Sequence, residues 1–317
     1  MLVDDLLAKA KQSNRLHISS MNLTSLPPLP ESLTELDCTA NNLTTLDNLP
    51  DSLLVLICRS NQLTMLPTLP PGLRILNCSC NLLTQLPTLP SSLTILDCST
   101  NLMASLCFLP ANLKYFNCYN NSIVALPLLP NSLSHIYCGV NNLVSLPLML
   151  PESLVELVCN KNALTVLPKL PSHLSILICK KNMLSSLPTI PASLTLLDCE
   201  DNQLHYLPDL PSSIKGIYCL LNPLNLTFQT ILVGITVDNS ITRHLPLIAE
   251  YNAGLRKKRR IGISLRRMKD IFMRNACVLN EDILASICSF LSGENGSITT
   301  QQDATKLSLE RYIKYGN

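Results

Sequence analysis

Apolar and polar positions recur along most of this chain at a fixed spacing of twenty residues. The stretch from Leu73 to Leu93, LRILNCSCNLLTQLPTLPSSL, falls into register at a shift of twenty with LTELDCTANNLTTLDNLPDSL from Leu33 and LTILDCSTNLMASLCFLPANL from Leu93. LSILICKKNMLSSLPTIPASL from Leu174 carries the same pattern. The first part of each unit, such as Leu36-Asp37-Cys38, alternates in and out with a period of two, which predicts a short strand. The second part, LPxLPxS, places prolines such as Pro67 and Pro70, Pro87 and Pro90, and Pro168 and Pro171 where a helix would need backbone donors, so an extended, polyproline-like return is expected.

A unit of this kind cannot bury its apolar face alone. A period of about 20 to 29 residues carrying L-x-x-L-x-L-x-x-N/C-x-L is the signature of a leucine-rich repeat. The fold class expected is α/β: a right-handed leucine-rich-repeat solenoid with a concave parallel β-sheet and a helix-free convex side. Residues 1–15 are expected to form an N-terminal capping helix, with Leu2, Leu6, Leu7 and Ala10 on one face, covering the open first edge of the sheet. The repeats span residues 16–226. The first is degenerate, with Ile18 and Met21 in slots that later hold cysteine and asparagine, and one is stretched by a residue at LPLMLP, between Leu146 and Pro151. Residues 227–317 read as a capping segment and a helical region, with helical spacing resuming at Leu247.

Two columns of identical residues run through the array. Cys38, Cys58, Cys78, Cys98, Cys118, Cys138, Cys159, Cys179, Cys199 and Cys219 fall where an inward aliphatic side chain is expected, so they read as a ladder of small core hydrophobes. Neighbouring parallel strands lie about 4.8 Å apart, a poor match to disulfide geometry, and so many thiols point to a reducing compartment. Three residues after each cysteine stands an asparagine, from Asn41 to Asn222, whose amide can both donate and accept where the chain leaves the sheet. These asparagines read as structural.

Composition changes the picture little. The hydrophobic share is 47%, but no run of 18 apolar residues exists, so no transmembrane segment is expected. Asp4 and Asp5 stand where a secretory signal would need a basic and then an apolar region, so classical signal-peptide export is not expected. Net charge is +2, but residues 1–239 hold 11 basic and 15 acidic side chains and residues 240–317 hold 13 and 7. The cluster Arg256, Lys257, Lys258, Arg259 and Arg260 reads as a nuclear-import signal, a patch for nucleic acid or an anionic membrane, or a solvated helix face. No aromatics interleave with it, so sequence-specific nucleic-acid binding is not expected.

The motif LPxLPxSLxxLxCxxNxLTxLP, over roughly residues 16–226, resembles the short leucine-rich repeats of bacterial effectors of the YopM and IpaH type. The resemblance implies a protein delivered by a dedicated bacterial secretion system into a host cell, acting in the host cytoplasm and binding a host protein through its repeats, and the basic cluster at Lys257, Lys258, Arg259 and Arg260 adds the nucleus as a destination. IpaH-type relatives add a ubiquitin-ligase domain with a nucleophilic cysteine in C-x-D. Neither Cys277 nor Cys288 is followed by that aspartate, so that catalytic domain is not expected here. A second likeness lies at Leu279 to Leu291, LNEDILASICSFL, which resembles the first helix of an F-box. It implies adaptor docking through Leu279, Ile283, Leu284, Ile287, Phe290 and Leu291, and recruitment of a cullin-RING (SCF-type) ubiquitin ligase. The same residues also fit an amphipathic helix packed on the repeats.

No hydrolase elbow, phosphate loop, paired-carboxylate set or zinc spacing appears, and the five histidines are scattered, so neither catalysis nor a metal or cofactor is expected. The site expected instead is the concave face. Residues flanking each inward leucine point there, and Ile57, Ile75, Ile95, Tyr115, Tyr119, His135, Tyr137, Val158, Ile178 and Lys180 read as an exposed apolar surface with aromatic anchors and a charged rim, suited to a protein partner.

Overall fold

The computed structural model describes residues 2–224. The expectations for the basic cluster, the F-box-like stretch and the C-terminal helical region lie outside the described residues.

Helix α1 (Leu2–Ser13) precedes the array. It stops at Asn14, which adopts the left-handed conformation (φ 57°) and donates its amide to the Ala10 carbonyl at 2.8 Å, as a helix C-terminus requires. The carbonyl of the same residue accepts from Thr34 and Glu35 at 2.8 and 3.2 Å and so begins the sheet. Ala10 is fully buried, and Leu6 and Leu7 pack partly buried against the core, which closes the first edge as the sequence predicts.

Eleven strands of three residues follow: β1 (Arg15–His17), β2 (Glu35–Asp37), β3 (Val55–Ile57), β4 (Ile75–Asn77), β5 (Ile95–Asp97), β6 (Tyr115–Asn117), β7 (His135–Tyr137), β8 (Glu156–Val158), β9 (Ile176–Ile178), β10 (Leu196–Asp198) and β11 (Gly216–Tyr218). They form one parallel sheet in sequence order, each paired with the next at equivalent positions. The strands begin one residue earlier than the alternation suggests, at Glu35 rather than Leu36, but their sense is as expected. The middle residue of every strand is buried, while in most of them the flanks are half-exposed. No helix interrupts the return segments among the described residues, consistent with their prolines.

The core is a stack of equal layers. In the layer of β3, Leu53, Leu56, Cys58 and Leu63 are all fully buried. Burying each such leucine favours folding by about 1.5–3 kcal/mol, and each layer is covered only by its two neighbours, so the array stands or falls along its axis. All ten ladder cysteines are buried free thiols. Some donate weakly along the stack, as Cys98 Sγ does to the Asn117 carbonyl at 3.4 Å.

The asparagine column does what its chemistry allows. Asn101 Nδ2 donates to the carbonyls of Cys78 and Cys98, both at 3.1 Å, while its Oδ1 accepts from the Leu83 amide at 3.0 Å. The pattern repeats from Asn41 to Asn222 and joins each turn to the one before. A second column, of serines, performs the same service on the return side. Ser52, Ser92, Ser132, Ser153, Ser193 and Ser213 donate to carbonyls of the preceding repeat at 2.6–2.7 Å, Ser92 to Leu73 for example. The sequence shows these serines without declaring their role.

Candidate functional site

The sheet register sorts the expected concave residues into separate columns. Ile75, Ile95, Tyr115 and His135 stand side by side on β4 to β7. Ile57, Tyr137, Val158 and Ile178 share another column, but Asn77, Asp97 and Asn117 stand between the first two of them. Tyr119 and Lys180 lie just beyond the strand ends. The apolar surface is therefore broken by a polar centre. The concave side chains are also less open than the sequence suggests. Most are half-buried by their neighbours across the sheet, and Val158, at 9% exposed, offers little to a partner.

An aromatic group occupies the middle of the sheet. The Tyr115 ring lies 5.3 Å from that of Tyr137 and 6.2 Å from the imidazole of His135, both tilted. Tyr115 and His135 are lateral neighbours on β6 and β7, and Tyr137, which stands opposite Asn117, reaches Tyr115 along the diagonal. Tyr137 donates its hydroxyl to Glu156 Oε2 on β8 at 2.8 Å, and Ser134 Oγ lies 2.8 Å from His135 Nδ1. Burial, then the hydrogen bond to Glu156, then that carboxylate's charge push the Tyr137 phenol above its ordinary value. The Tyr115 phenol is raised first by burial and then by Asp97 and Glu156. Both tyrosines therefore stay protonated donors at neutral pH. Glu156 and Asp97 were not singled out from the sequence. The signal that could have found them is the alignment of columns across repeats.

Asp97 accepts from the amide and hydroxyl of Ser99 at 3.0 and 2.6 Å, and Asn77 is held likewise by Ser79. Further along, Lys180 Nζ meets Asp198 Oδ2 at 2.7 Å, a contact that raises the ammonium's pKa. At the other end Arg15 pairs with Glu35 at 3.3 Å, and His17 lies 3.7 Å from Glu35 and 3.9 Å from Asp37.

A second surface was not anticipated. On the return side Phe108, Leu128, Leu148 and Met149 are 82–90% exposed. They fall in three successive repeats where flanking repeats carry Thr68, Thr88, Lys169 and Thr189, and Met149 belongs to the stretched repeat.

No protein-family model matches the chain, and no curated protein does. Solved structures do. YopM, a leucine-rich effector protein from Yersinia pestis, is 36% identical with a TM-score of 0.67, over 70% of this chain and 65% of that one, so the chain spans just under two thirds of YopM. The leucine-rich-repeat domain of a Shigella effector is 34% identical over 49% of this chain and 70% of that domain, with a TM-score of 0.44. The functional domain of InlJ from Listeria monocytogenes, which includes a cysteine ladder, is 25% identical with a TM-score of 0.55, over 68% of this chain and 56% of that one. Together with the twenty-residue units, the unbroken parallel sheet and the stacked cysteines and asparagines, the likeness to YopM makes the described part of this chain a leucine-rich-repeat solenoid similar to that of a bacterial effector.

Proposed function

We propose that this chain is a translocated bacterial effector that binds a host protein on the concave sheet, centred on Tyr115, His135 and Tyr137. The likeness to a protein described as an effector supports the delivery part of this reading. The aromatic group carries the rest. Large rings with polar tips at the middle of a concave surface are the side chains that most often dominate an interface, each costing about 2 kcal/mol or more on truncation. The apolar flanks Ile75, Ile95 and Ile178 and the charged edge at Lys180 supply the surrounding complementarity.

A photo-reactive amino acid placed at Tyr119 or, as a control, at the exposed return-side Thr189 tests this in the full chain exposed to host-cell lysate. Position 119 should give a discrete adduct that is lost with Tyr115→Ala/Tyr137→Ala, and position 189 should give none. An adduct from 189 alone, or one from 119 indifferent to the tyrosines, would place the partner elsewhere.

The likeness of residues 279–291 to an F-box helix supports a second reading, in which the repeats choose the target and the C-terminal segment recruits a ligase adaptor. In the full chain Leu284→Asp should then remove the adaptor while leaving the adduct at position 119 intact.

A further inference from the structure

Carboxylates on the concave sheet fall into two groups. Glu35 has Arg15, Asp37 faces His17, and Asp198 has Lys180. Asp97 and Glu156, which bracket the aromatic group from β5 and β8, form no ion pair among the described residues. Their nearby partners are neutral: Ser99 for Asp97 and the Tyr137 hydroxyl for Glu156. Between residues 98 and 151 Lys114 is the only charged residue. It is exposed and pairs with neither carboxylate. The fields of both carboxylates converge on Tyr115. Two half-buried carboxylates thus flank three rings, and the one lysine nearby pairs with neither.

We propose that this cluster binds a basic segment of the partner, with arginine or lysine side chains lying against the Tyr115 and Tyr137 rings and paired with Asp97 and Glu156. The inference rests on the concave face being the binding face and adds the chemistry of what it takes. A cation over a tyrosine ring is attracted by the ring quadrupole, and a neighbouring carboxylate adds a charge-assisted hydrogen bond. Asp97 and Glu156 lie three strands apart and two residues offset along the strand, about 16 Å, a span that two long basic side chains reach from backbone positions four residues, about 13 Å, apart in an extended segment. The occupant expected is therefore an extended stretch with two basic residues at that separation. An acidic segment would meet the unpaired carboxylates and be repelled.

The test is a titration of the full chain, labelled at its tyrosine rings for NMR, with the capped peptide Gly-Arg-Gly-Gly-Gly-Arg-Gly and its citrulline isostere at low ionic strength. The arginine peptide should move the Tyr115 and Tyr137 resonances and bind at least tenfold more tightly than the neutral isostere. Asp97→Asn/Glu156→Gln should remove that preference, whereas Asp198→Asn, away from the rings, should not. Equal binding of the two peptides, or an unchanged preference in the double variant, overturns the inference. Repeating the position-119 crosslink in Asp97→Asn/Glu156→Gln separates the two readings. An undiminished adduct shows that the concave face binds its partner without this cation site. Loss of the adduct together with the arginine preference supports both.

Discussion

The side-chain amide of Asn160 sits in the space that a Cβ on Gly139 would need. The two residues hold equivalent places just past β7 and β8, and Asn160, only 7% exposed, is accommodated because its neighbour has no side chain. Gly139→Ala should therefore force Asn160 aside and destabilise the fold by about 1–3 kcal/mol, the usual range for overpacking. Adding Asn160→Ser should recover most of that loss, and chemical denaturation of both single variants and the double variant would show the coupling. Additive effects would mean that the two side chains do not compete.

Next to that glycine is a strained position. Val140 has φ 53°, in the left-handed region, and the equivalent residues Ser60, Cys80, Thr100 and Lys161 share it. This region disfavours L-residues by about 1–2 kcal/mol, most of all those branched at Cβ, and asparagine is the side chain that tolerates it best after glycine. Val140→Asn should raise stability by about 1 kcal/mol, a rise of about 2–4 °C in melting temperature for an array of this size. An unchanged or lowered midpoint would mean that valine's packing outweighs the backbone strain.

Repetition decided what the sequence could reveal. The cysteine and asparagine columns were legible because ten copies state the same requirement, and the prolines excluded helices on the return side without reference to anything distant. The fit of Gly139 to Asn160, the hydrogen bond from Tyr137 to Glu156 and the unpaired state of Asp97 each occur once and depend on which residues become lateral neighbours. A one-dimensional pattern shows these only after the repeats are aligned column by column. The exposed Phe108, Leu128, Leu148 and Met149 were missed for a related reason, since they resemble the surrounding leucines in type and differ only in facing outward.

The cysteine ladder makes stability sensitive to alkali. Burial raises the Cys38 and Cys138 thiols from their ordinary 9.0 to about 12 and moves the other ladder thiols up as well. Their folded-state values lie above the unfolded one, so their stabilising effect is complete below about pH 9 and is lost as pH rises beyond it, because only the unfolded chain releases the protons. Each thiol contributes a slope of up to about 1.4 kcal/mol per pH unit, and ten acting together should give a steep loss of stability above pH 9. In native protein near pH 8 a thiol reagent should spare the ladder and, of the described thiols, reach the half-exposed Cys80 and Cys107 first. Stability that is flat from pH 8 to 11, or rapid modification of Cys98, would contradict the sealed ladder.

The asparagine column should be where the solenoid is most easily broken from within. Removing Asn101 leaves the Leu83 amide without its acceptor in a region sealed from water and takes one of two donors from the carbonyls of Cys78 and Cys98, which keep only Asn81 and Asn121. A buried polar group left unsatisfied costs about 1–3 kcal/mol, so Asn101→Ala should destabilise by about that much. Asn101→Asp tests the chemistry more sharply. The aspartate keeps the shape and can still accept from Leu83, but it replaces the donor with a second oxygen facing two carbonyls, so it should be worse than alanine at neutral pH and improve as the carboxyl is protonated. Asn41 serves the degenerate first turn, where its Oδ1 accepts from the backbone amides of Met21 and Leu23 at 3.0 Å, and Met21, in the asparagine slot, has no side-chain amide of its own. The array already ends there, so the same change at Asn41 should fray the cap rather than divide the sheet. Hydrogen exchange would separate the cases: protection lost across β4 to β6 for the Asn101 variants, and only near β1 for Asn41→Asp. Equal protection in all of them would show that backbone pairing, not the amide column, holds the turns together.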